Sequence, residues 1–228
     1  MSAWIKGERL RALKLTLPVA CGYLFLGTAF GAMLAQAGFG PAWAMAVSSL
    51  VYAGSLQFVM VPFLASGVSL ATAALTALMI NARHIFYGLS YIERFGRMGK
   101  WKPYMIFSLT DETYSVFCSM RGEESDGVMV RVALYDQCYW VIGSGFGAML
   151  AAGLPFDLTG IDFSMTALFI VICVERALQK ENRLALTVGA CCAIGSLVTL
   201  GPDRFLAPAL MYTALLLTGM EIRKGAAA

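Results

Sequence analysis

Eight continuous apolar runs dominate the chain: Leu15–Ala35, Ala42–Ser66, Val68–Ile92, Tyr104–Met120, Val132–Ala152, Phe163–Leu178, Leu184–Leu200 and Phe205–Met220. Each is roughly 16 to 25 residues long, close to what a helix needs to cross a hydrocarbon core about 30 Å thick. The backbone must satisfy its own polar groups in lipid, and the runs are continuous rather than alternating. They therefore predict helices and not barrel strands. The expected fold is an all-α polytopic membrane protein of about eight helical segments. No polar linker is long enough to divide it, so residues 1–228 are expected to form a single integral membrane domain.

The composition agrees, with 59% hydrophobic and only 14% charged residues, against about 25% charged in soluble domains. The net charge of +3 sits in short segments between apolar runs, which disfavours nucleic-acid binding. The six cysteines lie inside apolar runs without a CxxC pair, and the chain has one histidine. No metal site and no cofactor are expected. The first apolar run continues past Gly31 and many more follow, so the N-terminus reads as a retained segment rather than a cleaved signal.

Positive charge assigns sides. Lys6, Arg9, Arg11 and Lys14 precede the first run; Arg94, Arg97, Lys100 and Lys102 follow the third; Arg176, Lys180 and Arg183 follow the sixth; Arg223 and Lys224 follow the eighth. The positive-inside rule makes all four regions cytoplasmic. Eight full crossings cannot satisfy it, so one segment in each half must fail to cross. The first and fifth are the expected ones, being rich in glycine and alike: Gly27-Thr-Ala-Phe-Gly-Ala-Met-Leu-Ala35 against Gly143-Ser-Gly-Phe-Gly-Ala-Met-Leu-Ala151. Broken or re-entrant segments there, with Gly143 and Gly145 at the second break, would give an inverted-topology repeat with sites near midplane. Both termini and the loop from Glu93 to Pro103 would be cytoplasmic and the acidic loop from Arg121 to Arg131 outside. The alternative is that these glycines only permit close helix packing.

Polar residues inside the runs need a reason, since an Arg at a helix centre costs roughly 2.5–3.5 kcal/mol on insertion scales. Counting inward from the basic loop places Asn81, Arg83 and His84 level with Thr110, Asp111 and Glu112 on an antiparallel neighbour, at about 1.5 Å per residue. Such a cluster is either a polar site or relay, or an ion pair that locks two helices. Gly54, Ser55 and Gln57 in mid-segment suit an unwound turn facing a solute or a helix contact. Asp136 and Gln137, a turn into the fifth run, are expected at the interface, as are Glu175 and Arg176.

Tyr52-Ala-Gly-Ser-Leu-Gln-Phe58, Asn81-Ala-Arg-His-Ile-Phe-Tyr-Gly88 and Leu109-Thr-Asp-Glu112 resemble the motifs of the AzlC family, the large membrane subunit of prokaryotic branched-chain amino-acid exporters. The resemblance runs from about Leu15 to the C-terminus. It implies a transport protein rather than an enzyme, exporting valine, leucine, isoleucine or methionine across a plasma or inner membrane with a small AzlD-like membrane partner. Arg83 or a helix N-terminus would take the substrate carboxylate, Asp111 or Glu112 the ammonium, and His84, with a reference pKa near 6.5, would couple to protons. Rival classes are a channel, a structural membrane subunit and a membrane-embedded enzyme, although the chain has no HExxH, no GxSG and no Walker A motif.

Overall fold

The structure is a computed structural model that describes residues 2–120, 124–153, 183–201 and 205–226, with isolated positions between 163 and 178. The described residues are helical and contain no strand. α1 runs over Ser2–Gln36, α2 over Pro41–Leu50, α3 over Gly54–Ser66, α4 over Leu70–Leu89 and α5 over Ile92–Arg97. A 3-10 turn at Gly99–Trp101 leads into α6 (Lys102–Phe107) and α7 (Asp111–Ser119), followed by α8 (Asp126–Gly153), α9 (Arg183–Leu200) and α10 (Leu206–Ala226). Among the described residues α1 and α9 are long and apolar enough to cross a membrane by composition alone. α4 and α8 have the length but carry polar residues, Asn81, Arg83 and His84 in one and Asp126, Arg131, Asp136 and Gln137 in the other. Most of the sixth apolar run, with Glu175 and Arg176, lies outside the described residues.

Two compact units result, Met1–Ala73 with Ile80–Ser164, and Ala74–Met79 with Met165–Ala228. In the second, α9 packs on α10, and Thr76 and Ser196 are buried. The first holds the polar cluster and is organised by α1 against α8. Contacts advance together along both helices: Glu8 meets Arg131 at 2.7 Å, Thr16 meets Tyr139 at 3.3 Å, and the Tyr23 and Trp140 rings lie 5.2 Å apart. The two helices are therefore parallel.

Their glycines make the approach possible. A Cβ on Gly31 would lie 1.9 Å from the Ser144 carbonyl oxygen, and one on Gly147 would lie 1.9 Å from that of Thr28. Gly27 abuts Trp140 and Gly143 abuts Leu24 in the same reciprocal way. The matching glycine motifs thus pack face to face, the small-residue contact by which helices associate where lipid offers no hydrophobic drive. Neither α1 nor α8 is interrupted, which corrects the expectation of breaks in the first and fifth segments at Gly143 and Gly145. A parallel pair also removes the inverted relation between them.

The breaks fall in the second and fourth segments. Between α2 and α3 the chain turns at Val51-Tyr52-Ala53, where Tyr52 takes the left-handed φ of +40°, a strained conformation for an aromatic residue. Between α6 and α7 it turns at Ser108-Leu109-Thr110, and Thr110 caps α7 by accepting from the Thr113 N–H at 3.3 Å. Each pair forms a broken hairpin, and the tips meet, with the Tyr52 and Phe107 rings 6.1 Å apart. The ends of the α6–α7 hairpin lie at one end of this unit. Trp101 lines a cavity with Glu8 and Asp126 there, Arg11 pairs with Glu124 at 2.6 Å, and Arg94 pairs with Asp126 at 3.3 Å. The basic N-terminus, the 92–101 loop and residues 124–131 consequently share a side. Opposite charges attract across that end, which overturns the expectation that the acidic loop faces away from the basic ones.

Candidate functional site

The two hairpin tips bring helix starts to the middle of α4. Arg83 Nη2 donates to Ser55 Oγ at the start of α3 (2.9 Å) and to Asp111 Oδ2 at the start of α7 (2.8 Å). The Arg83 and Asp111 side chains are 34% and 29% exposed, so this pair is reachable rather than sealed. The expected level match between α4 and the fourth segment holds, and it juxtaposes these two residues. Asp111 and Glu112 occupy the first turn of α7, where carboxylates are favoured by the helix dipole. Three buried polar atoms here have no hydrogen-bond partner: Arg83 Nε, Asn81 Oδ1 and Asp111 Oδ1. His84 is half-buried, with its ring 5.8 Å from that of Tyr87.

Glu112 points the other way. Its Oε2 lies 2.7 Å from the Tyr23 hydroxyl, and it lines a cavity of about 400 Å³ with Tyr23, Leu26, Val19, Val116 and Ser115. The Tyr23 hydroxyl also lies 2.7 Å from Thr110 Oγ1. Gln57 is fully buried and satisfied, accepting from Trp140 Nε1 at 2.9 Å and donating to Ser48 Oγ at 3.1 Å, with Ser48 in turn donating to Ser144 at 2.7 Å. It ties α3 to α2 and α8 and does not join the Arg83 cluster. Gly54 lets the tip pass Trp140, since a Cβ there would lie 3.2 Å from the indole.

Asp136 corrects another expectation: it is 0% exposed and accepts from Thr113 Oγ1 at 2.9 Å. Its depth follows from where α8 starts, at Asp126, well before the apolar run that the sequence displays. Sequence reasoning placed Thr110 in the cluster but passed over Tyr23 and Thr113 as site neighbours. A signal for Thr113 was present, because Thr110 followed at once by Asp111 and Glu112 is the pattern of a helix start, with Thr113 in its first turn.

The family model described as AzlC protein matches residues 18–154, the stretch that holds all of these residues. The chain belongs to the AzlC family. The Bacillus subtilis (strain 168) relative named branched-chain amino acid transport protein AzlC is 33% identical over 210 residues, covering 91% of this chain and 83% of that protein. A Haemophilus influenzae relative, named only as a membrane protein, is 37% identical over 92% of this chain and 87% of its own length. The inner membrane protein YgaZ of Escherichia coli (strain K12) is 32% identical over 75% of this chain and 74% of its own. No solved structure matches the chain. Membership in the AzlC family supports a location in the membrane and a role in transport.

Proposed function

We propose that the chain exports branched-chain and other hydrophobic amino acids, among them valine, leucine, isoleucine and methionine, by proton-coupled alternating access. The observation that carries this reading is the set of unpartnered atoms at the hairpin tips. Arg83 Nε is a donor without an acceptor, and Asn81 Oδ1 and Asp111 Oδ1 are acceptors without donors. Leaving such atoms buried and unpaired costs free energy. A zwitterion completes both kinds at once: its carboxylate accepts from Arg83, and its ammonium donates to Asn81 and Asp111. Glu112, next to Asp111 in the first turn of α7, opens onto a cavity walled by Val19, Leu26 and Val116 that leaves room for an aliphatic side chain. The name of the Bacillus subtilis relative supports the same substrate class. His84, one residue from Arg83, gives the site an imidazole, a side chain able to take up and release a proton. Gln57, Gly54 and Ser55 hold the first tip in place.

The broken hairpins also support a topology. If the second and fourth segments enter and return without crossing, the first, third, fifth, sixth, seventh and eighth cross, and all four basic regions and both termini fall on the cytoplasmic side. The whole chain then acts as one multi-pass transport domain in a prokaryotic plasma or inner membrane, with a small AzlD-like membrane subunit as its partner. Labelled-leucine counterflow in liposomes tests the reading, with and without that subunit. The expected result is transient accumulation driven by unlabelled leucine inside, strongest with both chains. A flux that shows no such exchange would instead establish a channel, and absence of any leucine flux with both chains would overturn the assignment.

A further inference from the structure

Four oxygen-to-oxygen contacts join two carboxyls into one file: Glu112 to Tyr23 at 2.7 Å, Tyr23 to Thr110 at 2.7 Å, Thr110 to Thr113 at 3.1 Å, and Thr113 to Asp136 at 2.9 Å. A hydroxyl carries one hydrogen and an ionised carboxylate none. The three hydroxyls therefore supply three hydrogens for four contacts. The file is complete only when at least one of its two carboxyls is protonated, and it can pass a proton from end to end when the other is ionised.

We propose that Glu112, Tyr23, Thr110, Thr113 and Asp136 form a proton relay that holds one carboxyl proton and couples its position to substrate. In one state Glu112 is the acid. It donates to Tyr23, Tyr23 to Thr110, Thr110 to Thr113, and Thr113 to the ionised Asp136. Passing each hydrogen one contact along breaks the O–H of Glu112 and forms one on Asp136. Every hydroxyl ends with one hydrogen, no charge remains between the ends, and each donor has reversed.

The two ends differ in what they can reach. Glu112 opens onto the side cavity, whereas Asp136 is fully buried with Oδ1 unpartnered. The ionisable groups facing Glu112 are Tyr23, Asp111, Arg83, Tyr52 and Asp136, and those facing Asp136 are Tyr52, Tyr104 and Glu112 itself. The Tyr52 hydroxyl approaches Thr113 short of hydrogen-bond geometry, so it does not interrupt the file. An ammonium arriving at Asp111 favours an ionised Glu112 beside it, because an opposite charge within a few ångströms stabilises the charged form. The proton then moves to Asp136. When the amine leaves, the proton returns to Glu112, whose opening onto the cavity lets it exchange with solvent on the side then exposed.

This inference rests on the transport reading, and its test has one arm that does not. Infrared difference spectra of purified protein at neutral pH are compared between wild type and Glu112→Gln/Asp136→Asn. The relay predicts a carbonyl band of a protonated carboxylic acid in wild type that the double variant lacks. Identical carboxyl regions would overturn it even if no leucine moved. The second arm measures leucine accumulation driven by a pH gradient, divided by counterflow in the same liposomes. Thr113→Val, which keeps the shape of the side chain and removes the hydroxyl, is expected to lower that ratio at least tenfold, and Thr113→Ser to restore it. A ratio within twofold of wild type in Thr113→Val would overturn the relay, while a wild type with no counterflow at all would overturn only the transport reading.

Discussion

Gly31→Ala tests the frame on which the site stands. The new Cβ would lie 1.9 Å from the Ser144 carbonyl oxygen and 2.8 Å from the Ala148 nitrogen, both backbone atoms that cannot rotate away. Ordinary contact begins near 3.4 Å, so α1 and α8 must separate locally by about 1.5 Å. Forcing extra volume into packed structure costs about 1–3 kcal/mol, and a backbone-to-backbone clash belongs at the upper end. Gly22→Ala is the control: it lies in the same helix with nothing within 4 Å of the added Cβ. It should gain about 0.5–1 kcal/mol from lost backbone freedom in the unfolded chain. The two variants should differ in unfolding temperature by roughly 5 to 15 °C for a chain of this size. Thermal unfolding in detergent, followed by the fluorescence of Trp140 at this interface and by retention on a sizing column, measures the gap. Equal stability of the two alanine variants would refute the parallel glycine contact, and with it the placement of the hairpin tips.

Three further outcomes follow from the site. On a cysteine-free background, Ser125→Cys should be labelled from the same side as Lys100→Cys, and labelling from opposite sides would contradict the shared end of the N-terminus, the basic loop and residues 124–131. Arg83→Ala should lower yield and thermal stability by leaving the Asp111 carboxylate unpaired, while Arg83→Leu with Asp111→Leu should recover stability without recovering leucine efflux; recovery of both would reduce the pair to a structural lock. His84→Gln should insert normally and flatten the pH dependence of counterflow, and an unchanged profile would remove His84 from the site.

Part of this arrangement was legible in the residues. Apolar runs of spanning length gave the helical class, and counting residues from the basic loop placed Arg83 opposite Asp111, where the structure pairs them at 2.8 Å. The breaks were misplaced for a physical reason. Glycine in an apolar helix serves close packing as readily as unwinding, and Gly31 and Gly147 are used for packing. Thr110-Asp111-Glu112 is a helix start in the middle of an apolar run, and hydropathy averages it into one continuous segment. Asp136 was read as shallow because depth was counted from the apolar run, whereas α8 begins with charged and small residues at Asp126. Tyr23, Thr110 and Thr113 carry no signal of joint action until folding brings α1, α7 and α8 together.

The central claim is that a zwitterion is held by complementary donors and acceptors at Arg83, Asn81 and Asp111. Competition against labelled-leucine counterflow measures it most directly, with three competitors of one size: leucine, its amide without the carboxylate, and 4-methylpentanoate without the amine. The account predicts that unlabelled leucine competes and that each truncated analogue requires at least tenfold more, since each leaves one set of buried polar atoms unpaired, at about 1.4 kcal/mol per tenfold. Competition by either analogue at the concentration effective for leucine would contradict it.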